Sequence, residues 1–169
     1  MCRLGLAHIF LELQEILIST VVCVQDKRNA NSAGVVRERI DASFGEYEDW
    51  VISKSGDIDW VKRFRYNQTI VSRIGVEIQV SGRSDLLVRD IIHIRNQLQN
   101  SEIDVGVIVV PSDFFEYRLT DRVANYTYAI RYVEEEFPEA QNYPIIVIAV
   151  EHDDWSDEPI PKKTTNKGK

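Results

Sequence analysis

Sulfur chemistry is nearly absent from this chain. Its two cysteines, Cys2 and Cys23, stand 21 positions apart and form no CxxC pair or metal-ligand spacing. Two free thiols in a reducing compartment fit that usage; a disulfide scaffold or a cysteine nucleophile does not. Histidine is scarce as well: His8, His93 and His152 are scattered, share no ligand spacing with the cysteines, and leave no soft-metal site. His93, four residues after Arg89 in a helical segment, reads as part of a solvated face. Also missing is a clean apolar run of about 18 residues, the length a membrane helix needs. The stretch 4–24 comes nearest, but Glu12, Gln14 and Glu15 interrupt it, and no small-residue cleavage site follows. We therefore expect no membrane partner and a cytoplasmic protein. No internal repeat is visible.

What is present describes one globular unit. A chain of 169 residues with 44% hydrophobic and 28% charged side chains is long enough to bury a core and too apolar for general disorder. The expected domain spans 1–155, with an N-terminal helical part over 1–48, a core over 50–151, and a disordered, lysine-rich tail over 156–169. Net charge is −7, which argues against a protein coated for nucleic acid. Its distribution is uneven, however. Residues 51–100 hold eight basic against five acidic side chains, net +3, while residues 101–160 hold three against fourteen, net −11. A positive middle of this kind is compatible with a local phosphate-binding surface. The run Glu134-Glu135-Glu136 and the acidic stretch 151–158 read as solvated faces, or else as an acidic interaction surface.

Along the chain, polar His8, Glu12, Glu15 and Ser19 recur at helical spacing and leave a wide apolar face, so a packed helix is expected over 4–24. A polar loop over 25–32 precedes a second helix over 33–47. Trp50-Val51-Ile52 reads as a short strand and 53–56 as a turn. Two longer strands, 58–65 and 70–80, flank a hairpin loop at Tyr66-Asn67-Gln68-Thr69. Ser84 is placed as the N-cap of a helix with Asp85 in its first turn, an apolar face of Leu87, Ile91, Ile94 and Leu98, and Asn100 at its end. The continuous apolar runs 105–110 and 144–150 are strands, the first suited to burial on both faces. Between them Thr120 is expected to open a helix carrying Val123, Tyr126, Ile130, Val133 and Phe137. The order α-α-β-β-β-α-β-α-β gives an α/β fold: a mixed sheet with an antiparallel hairpin, flanked by helices.

The chemistry-bearing segment is Arg73-Ile74-Gly75-Val76-Glu77-Ile78-Gln79-Val80-Ser81-Gly82-Arg83-Ser84-Asp85. In a strand, Glu77 and Gln79 share one face while Val76, Ile78 and Val80 take the other. A hairpin centred near Gln68 sets residue 59 across from residue 77, and residue 59 is an aspartate. Two carboxylates at cross-strand distance, about 5 Å between Cβ atoms, repel unless a cation lies between them. A hard cation such as Mg²⁺ accepts one or two carboxylates completed by water and phosphate oxygens. Alternating polar residues also mark any half-exposed strand, so the pattern by itself leaves both readings open.

The segments Ile58-Asp59-Trp60-Val61-Lys62, Arg73 to Gln79, Ile103 to Pro111 and Pro144 to Ile148 carry a resemblance. The chain resembles the BglII/BstYI type of Type II restriction endonuclease, a branch of the PD-(D/E)xK nuclease superfamily that carries glutamine where most members have lysine two residues after the glutamate. The likeness covers about residues 35–150. It implies a restriction-endonuclease-like core, a homodimer acting on double-stranded DNA, and Mg²⁺ held by Asp59, Glu77 and the Ile78 carbonyl. It further implies Asp59, Glu77 and Gln79 as catalytic residues, with hydrolysis leaving 5′-phosphates and 3′-hydroxyls. Gln79 carries no charge and can orient water only. Ser81, Arg83 and Ser84, at a helix start, become DNA contacts, and Lys62, Arg63, Arg65 and Arg73 become partners for backbone phosphates. Gly82 offers no side chain for reading a base. One departure stands out: in the relatives the aspartate lies about nine residues before the glutamate, where this chain has Gln68. Either a longer hairpin lets Asp59 take the role, with Asp57 a weaker substitute, or the acid is lost and the protein is an inactive homologue that binds DNA. A structure-specific repair nuclease of the same fold is the other alternative.

Overall fold

The computed structural model describes residues 2–53 and 58–162. The turn expected at 53–56 falls largely outside them, as do Asp57 and the tail from 163 onward. The first helix, α1, runs Cys2–Ser19 and stops short of the expected 24, because Cys23–Val24 forms a strand, β1. After the loop, α2 covers Ala33–Gly45 and β2 covers Val51–Ile52. The hairpin strands are β3, Trp60–Tyr66, and β4, Thr69–Ile78; α3 follows over Leu86–Gln99 and β5 over Val105–Pro111. A short helix α4, Asp113–Glu116, precedes α5, Tyr126–Arg131, which widens into one π-helical turn at Tyr132–Glu136. The last strands are β6, Ile145–Val150, and β7, Asp154–Trp155.

Five strands form one mixed sheet in the order β2-β3-β4-β5-β6. The pairs β2/β3 and β3/β4 are antiparallel, and β4/β5 and β5/β6 are parallel. Helices cover both faces, so the expected α/β architecture is the observed one. On one face α1 and α2 bury Ile9, Leu13, Ile16, Val36, Ile40 and Phe44 against Trp60, Ile74, Val76 and Ile78. On the other, α3 and α5 bury Leu87, Ile91, Ile94 and Ala129 against Val61, Ile108 and Val110. The central strands β4 and β5 are sealed on both sides, which is why Val105 to Pro111 can be continuously apolar. The equally apolar β6 is different: it lies at the sheet edge and is only half-buried.

The hairpin closes through Asn67 and Gln68, both with left-handed backbone (φ 46° and 66°), between the paired residues Tyr66 and Thr69. Two residues of positive φ match the twist of antiparallel strands. A register shift at Phe64/Arg65 then brings Trp60 opposite Val76. Among the described residues, no helix is long and apolar enough to cross a membrane.

Some local expectations are corrected. Thr120 opens no helix; its hydroxyl accepts a hydrogen bond from the Ala33 amide (3.2 Å) at the start of α2, and α5 begins only at Tyr126, capped by the Asn125 side chain. The wide apolar face of α1 is only partly covered, since Leu11 and Ile18 are exposed. The chain beyond 155 packs as far as it is described: Ile160 is buried, and its amide donates to the Asn31 side chain (3.2 Å).

Candidate active site

The site lies where β3 and β4 part. Pairing reaches Trp60 opposite Val76, and one step further Asp59 and Glu77 face each other. There the Asp59 side chain replaces the backbone, its Oδ2 accepting from the Ile78 amide at 2.8 Å. The Asp59 and Glu77 carboxyl groups therefore lie close enough to influence each other. Glu77 is 5% exposed. Burial and the charges of Asp59 and Asp90 push its carboxyl up to about 10, against a smaller opposing pull from Arg37.

Two further members come from α3. Asp90 is buried, and burial raises its carboxyl above the ordinary range although Arg89, at 3.1 Å, and His93 pull the other way. The His93 Nδ1 lies 3.7 Å from Glu77 Oε1, so the ring turns into the site and not, as expected, onto a solvated face. One ligand atom each from Glu77, Asp90 and His93 all lie within 4.8 Å of one another, close enough to hold a metal ion. A periodicity argument finds Asp90: Leu87, Ile91 and Ile94 are the core stripe of α3, and a residue three positions after Leu87 sits in that stripe. An acid at a core position of a helix is a signal in itself.

The α2 side contributes a cation. Arg37 Nη2 lies 2.9 Å from Asp59 Oδ1, and its Nη1 donates to the Ile78 carbonyl. Its Nε donates to Asp41 Oδ2 (2.8 Å), and Asp41 Oδ1 in turn accepts from Trp60 Nε1 (2.9 Å). Burial alone would lower the Arg37 pKa, but the hydrogen bonds and charges of Asp41 and Asp59 outweigh it and raise it. Neither Arg37 nor Asp41 stood out in the sequence, because an arginine and an aspartate four apart read as an exposed helix pair.

The other expected residues are scattered around this centre. Gln79 is buried on the Glu77 face of the strand, and its amide donates to the Arg83 carbonyl (3.2 Å), pinning the loop after β4. Gly82 turns that loop with φ 88°. Arg83 is exposed and forks onto Asp85 (2.9 and 2.6 Å); with that carboxylate taken, α3 starts at Leu86 behind Asp85, and Ser84 is not its N-cap. The Ser84 amide donates to the Arg122 carbonyl (3.2 Å), beside a cleft of about 450 Å³ that Arg28 and Arg122 also line. Lys62 is no free cation for phosphate: it points to the α1 face, where Glu12 and the Glu48 carbonyl (2.8 Å) hold it. Arg73 Nη1 donates to the Ser101 carbonyl (2.9 Å) at the end of α3. Gln68 sits at the hairpin tip, the far end of the strand from Glu77.

A five-stranded mixed sheet flanked by helices is consistent with the restriction-endonuclease-like fold. A model of the restriction endonuclease BamHI family matches residues 14–169, nearly the whole chain, and the protein belongs to that family. It is a Type II restriction endonuclease, an enzyme that cuts DNA. A comparison with curated proteins gives no match.

Proposed function

We propose that this enzyme cuts double-stranded DNA at a specific site with Mg²⁺, leaving 5′-phosphates and 3′-hydroxyls, and works as a cytoplasmic homodimer. Two-fold symmetry in the protein suits a palindromic site in the DNA. Within the family we read it as of the BglII/BstYI type, because an amide, Gln79, stands two residues after Glu77. The observation that carries the reading is the convergence of the buried Glu77 and Asp90 carboxyls with His93, ligand atoms within 4.8 Å of one another, beside Asp59 at the open end of the hairpin. Carboxylates are crowded there beyond what the neighbouring cations neutralise, so the pocket gains from a further positive charge.

The donor set fits a hard divalent ion: carboxylate oxygens of Asp59, Glu77 and Asp90, the Ile78 carbonyl, and one imidazole from His93. Glu77 belongs both to the group with Asp90 and His93 and, with Asp59 and the Ile78 carbonyl, to the set the family resemblance implies. Bound there, such an ion polarises a phosphodiester and lowers the pKa of a water. The protein's own groups do the rest. Gln79 cannot take a proton, so it orients water and fixes the loop through the Arg83 carbonyl. Ser81, Arg83 and Ser84 meet the DNA backbone, with Arg28 and Arg122 across the adjoining cleft. Arg73 is a lesser contributor, and Lys62 drops out of the set for the reason given above.

Incubation with plasmid and phage DNA across Mg²⁺, Mn²⁺ and Ca²⁺ tests this. The expected result is a discrete fragment set in Mg²⁺ that ligase can rejoin, with loss of cleavage in Glu77→Ala. No cleavage with any divalent ion would leave only an inactive relative. Cutting of branched DNA with linear duplex untouched would favour a structure-specific nuclease.

A further inference from the structure

Two of the oxygens that would hold the ion, Asp59 Oδ1 and the Ile78 carbonyl, already face a cation, the guanidinium of Arg37. We infer that Arg37 is a built-in counter-ion of the metal pocket, and that a divalent ion takes Asp59 and the Ile78 carbonyl only by displacing it. The inference rests on the metal-dependent reading above. A divalent ion such as Mg²⁺ sits about 2.1 Å from its oxygen ligands. The Arg37 N–H groups lie against these same two oxygens, and two cations sharing them would repel at contact distance.

The surroundings are built for a guanidinium that can swing without being lost. Asp41 holds the Nε side, away from the pocket, and the indole of Trp60 fixes Asp41. Asp41 and Arg37 lie one turn apart on α2, so the pair survives when the Nη groups leave Asp59. Asp59 keeps its orientation through Oδ2 and the Ile78 amide. The pocket therefore has two occupied states, arginine in or metal in. The arginine-in state keeps the half-buried Asp59 carboxylate paired in the metal-free protein, and it weakens binding of the ion.

Two measurements test this on the full-length protein. Free Mn²⁺ is followed by electron paramagnetic resonance during titration of wild type, Arg37→Met and Glu77→Ala, with thermal melts to verify folding. The expected result is Mn²⁺ binding at least tenfold tighter in Arg37→Met than in wild type, and lost in Glu77→Ala. In parallel, the Arg37 Nε–Hε signal of the wild type is followed by nitrogen-15 NMR during Mg²⁺ addition, which needs no variant to fold. It is expected to shift as the site fills. Binding no tighter in a folded Arg37→Met overturns the counter-ion role and leaves the metal reading intact. So does a wild type that saturates with Mg²⁺ while the Arg37 signal stays put, a result that would place the ion on Glu77, Asp90 and His93 alone. No Mn²⁺ or Mg²⁺ binding by either protein removes the metal reading itself.

Discussion

At the scale of single residues, Glu77 sets the electrostatic character of the pocket. In the metal-free fold its carboxyl holds a proton up to about 10, whereas an exposed glutamate releases one near 4.5. Between these values the folded state binds a proton that the unfolded chain has given up. Stability from this group is therefore complete below about 4.5 and falls as pH rises toward 10, by at most ~1.4 kcal/mol per pH unit. Glutamine at 77 keeps the shape and mimics the protonated acid. Glu77→Gln is expected to stabilise the EDTA-treated protein by about 2 kcal/mol at pH 8.5, with little change at pH 5. Urea denaturation at the two pH values measures it, and a wild-type pH slope retained in the variant would show that the raised pKa is not the cause. The sequence reached Glu77 and Asp59 because strand parity and hairpin symmetry are properties of neighbours in the chain. It could not reach Arg37, whose role comes from a fold that carries α2 across the sheet to Asp59.

At the scale of elements, the site depends on how closely α3 approaches the sheet. Gly106, on β5 beside Gly75 of β4, makes that approach possible: a Cβ at 106 would lie 2.2 Å from Ile94 Cγ2. Ile94 is buried and β-branched, so it has no easy rotamer to escape into. Gly106→Ala is expected to cost about 1–3 kcal/mol by overpacking. Because α3 also carries Asp90 and His93, the same shift should move both away from Glu77 and weaken Mn²⁺ binding. Adding Ile94→Ala removes the colliding methyl and should restore part of the binding, although it opens a cavity of its own. A double-mutant cycle on Mn²⁺ affinity reads this directly, and strict additivity would mean that helix placement does not control the site. The helix itself was readable from its apolar period, as were the hairpin and the buried strands. The start of α5 was not. Thr120 has the chemistry of an N-cap, but it caps α2, far away in sequence, and local pattern cannot separate the two uses.

At the scale of the whole molecule, the fold is closed by an asparagine that no local pattern marks. Asn31 lies in the loop between β1 and α2 and is completely buried. Its Oδ1 accepts from the amides of Gln25 (2.9 Å) and Ile160 (3.2 Å), and its Nδ2 donates to the carbonyls of Gln25 (2.9 Å) and Arg118 (3.2 Å). Backbone bonds from Asn31 to Arg118, from Thr120 to Asn31 and from Ser32 to Ile160 complete the knot. Three parts of the chain that are distant in sequence meet on one amide, and β1 pairs with β7 beside them. This explains why a segment with the composition of a loose tail packs onto the fold: its isoleucine is buried, its backbone is bonded, and Lys162 pairs with Asp121 (3.5 Å). Removing the Asn31 side chain takes the acceptor from the Gln25 and Ile160 amides, each a cost of about 1–3 kcal/mol, while the Gln25 and Arg118 carbonyls keep the Lys27 and Asn31 amides as donors. Asn31→Ala is therefore expected to lower stability by about 3 kcal/mol and to release the 151–162 segment before the sheet unfolds. Limited proteolysis should cut the variant in that segment at a temperature where the wild type resists and where far-UV circular dichroism is unchanged. If the variant instead melts in one step with the segment protected throughout, Asn31 supports the core as a whole and does not pin the C-terminal strand to it.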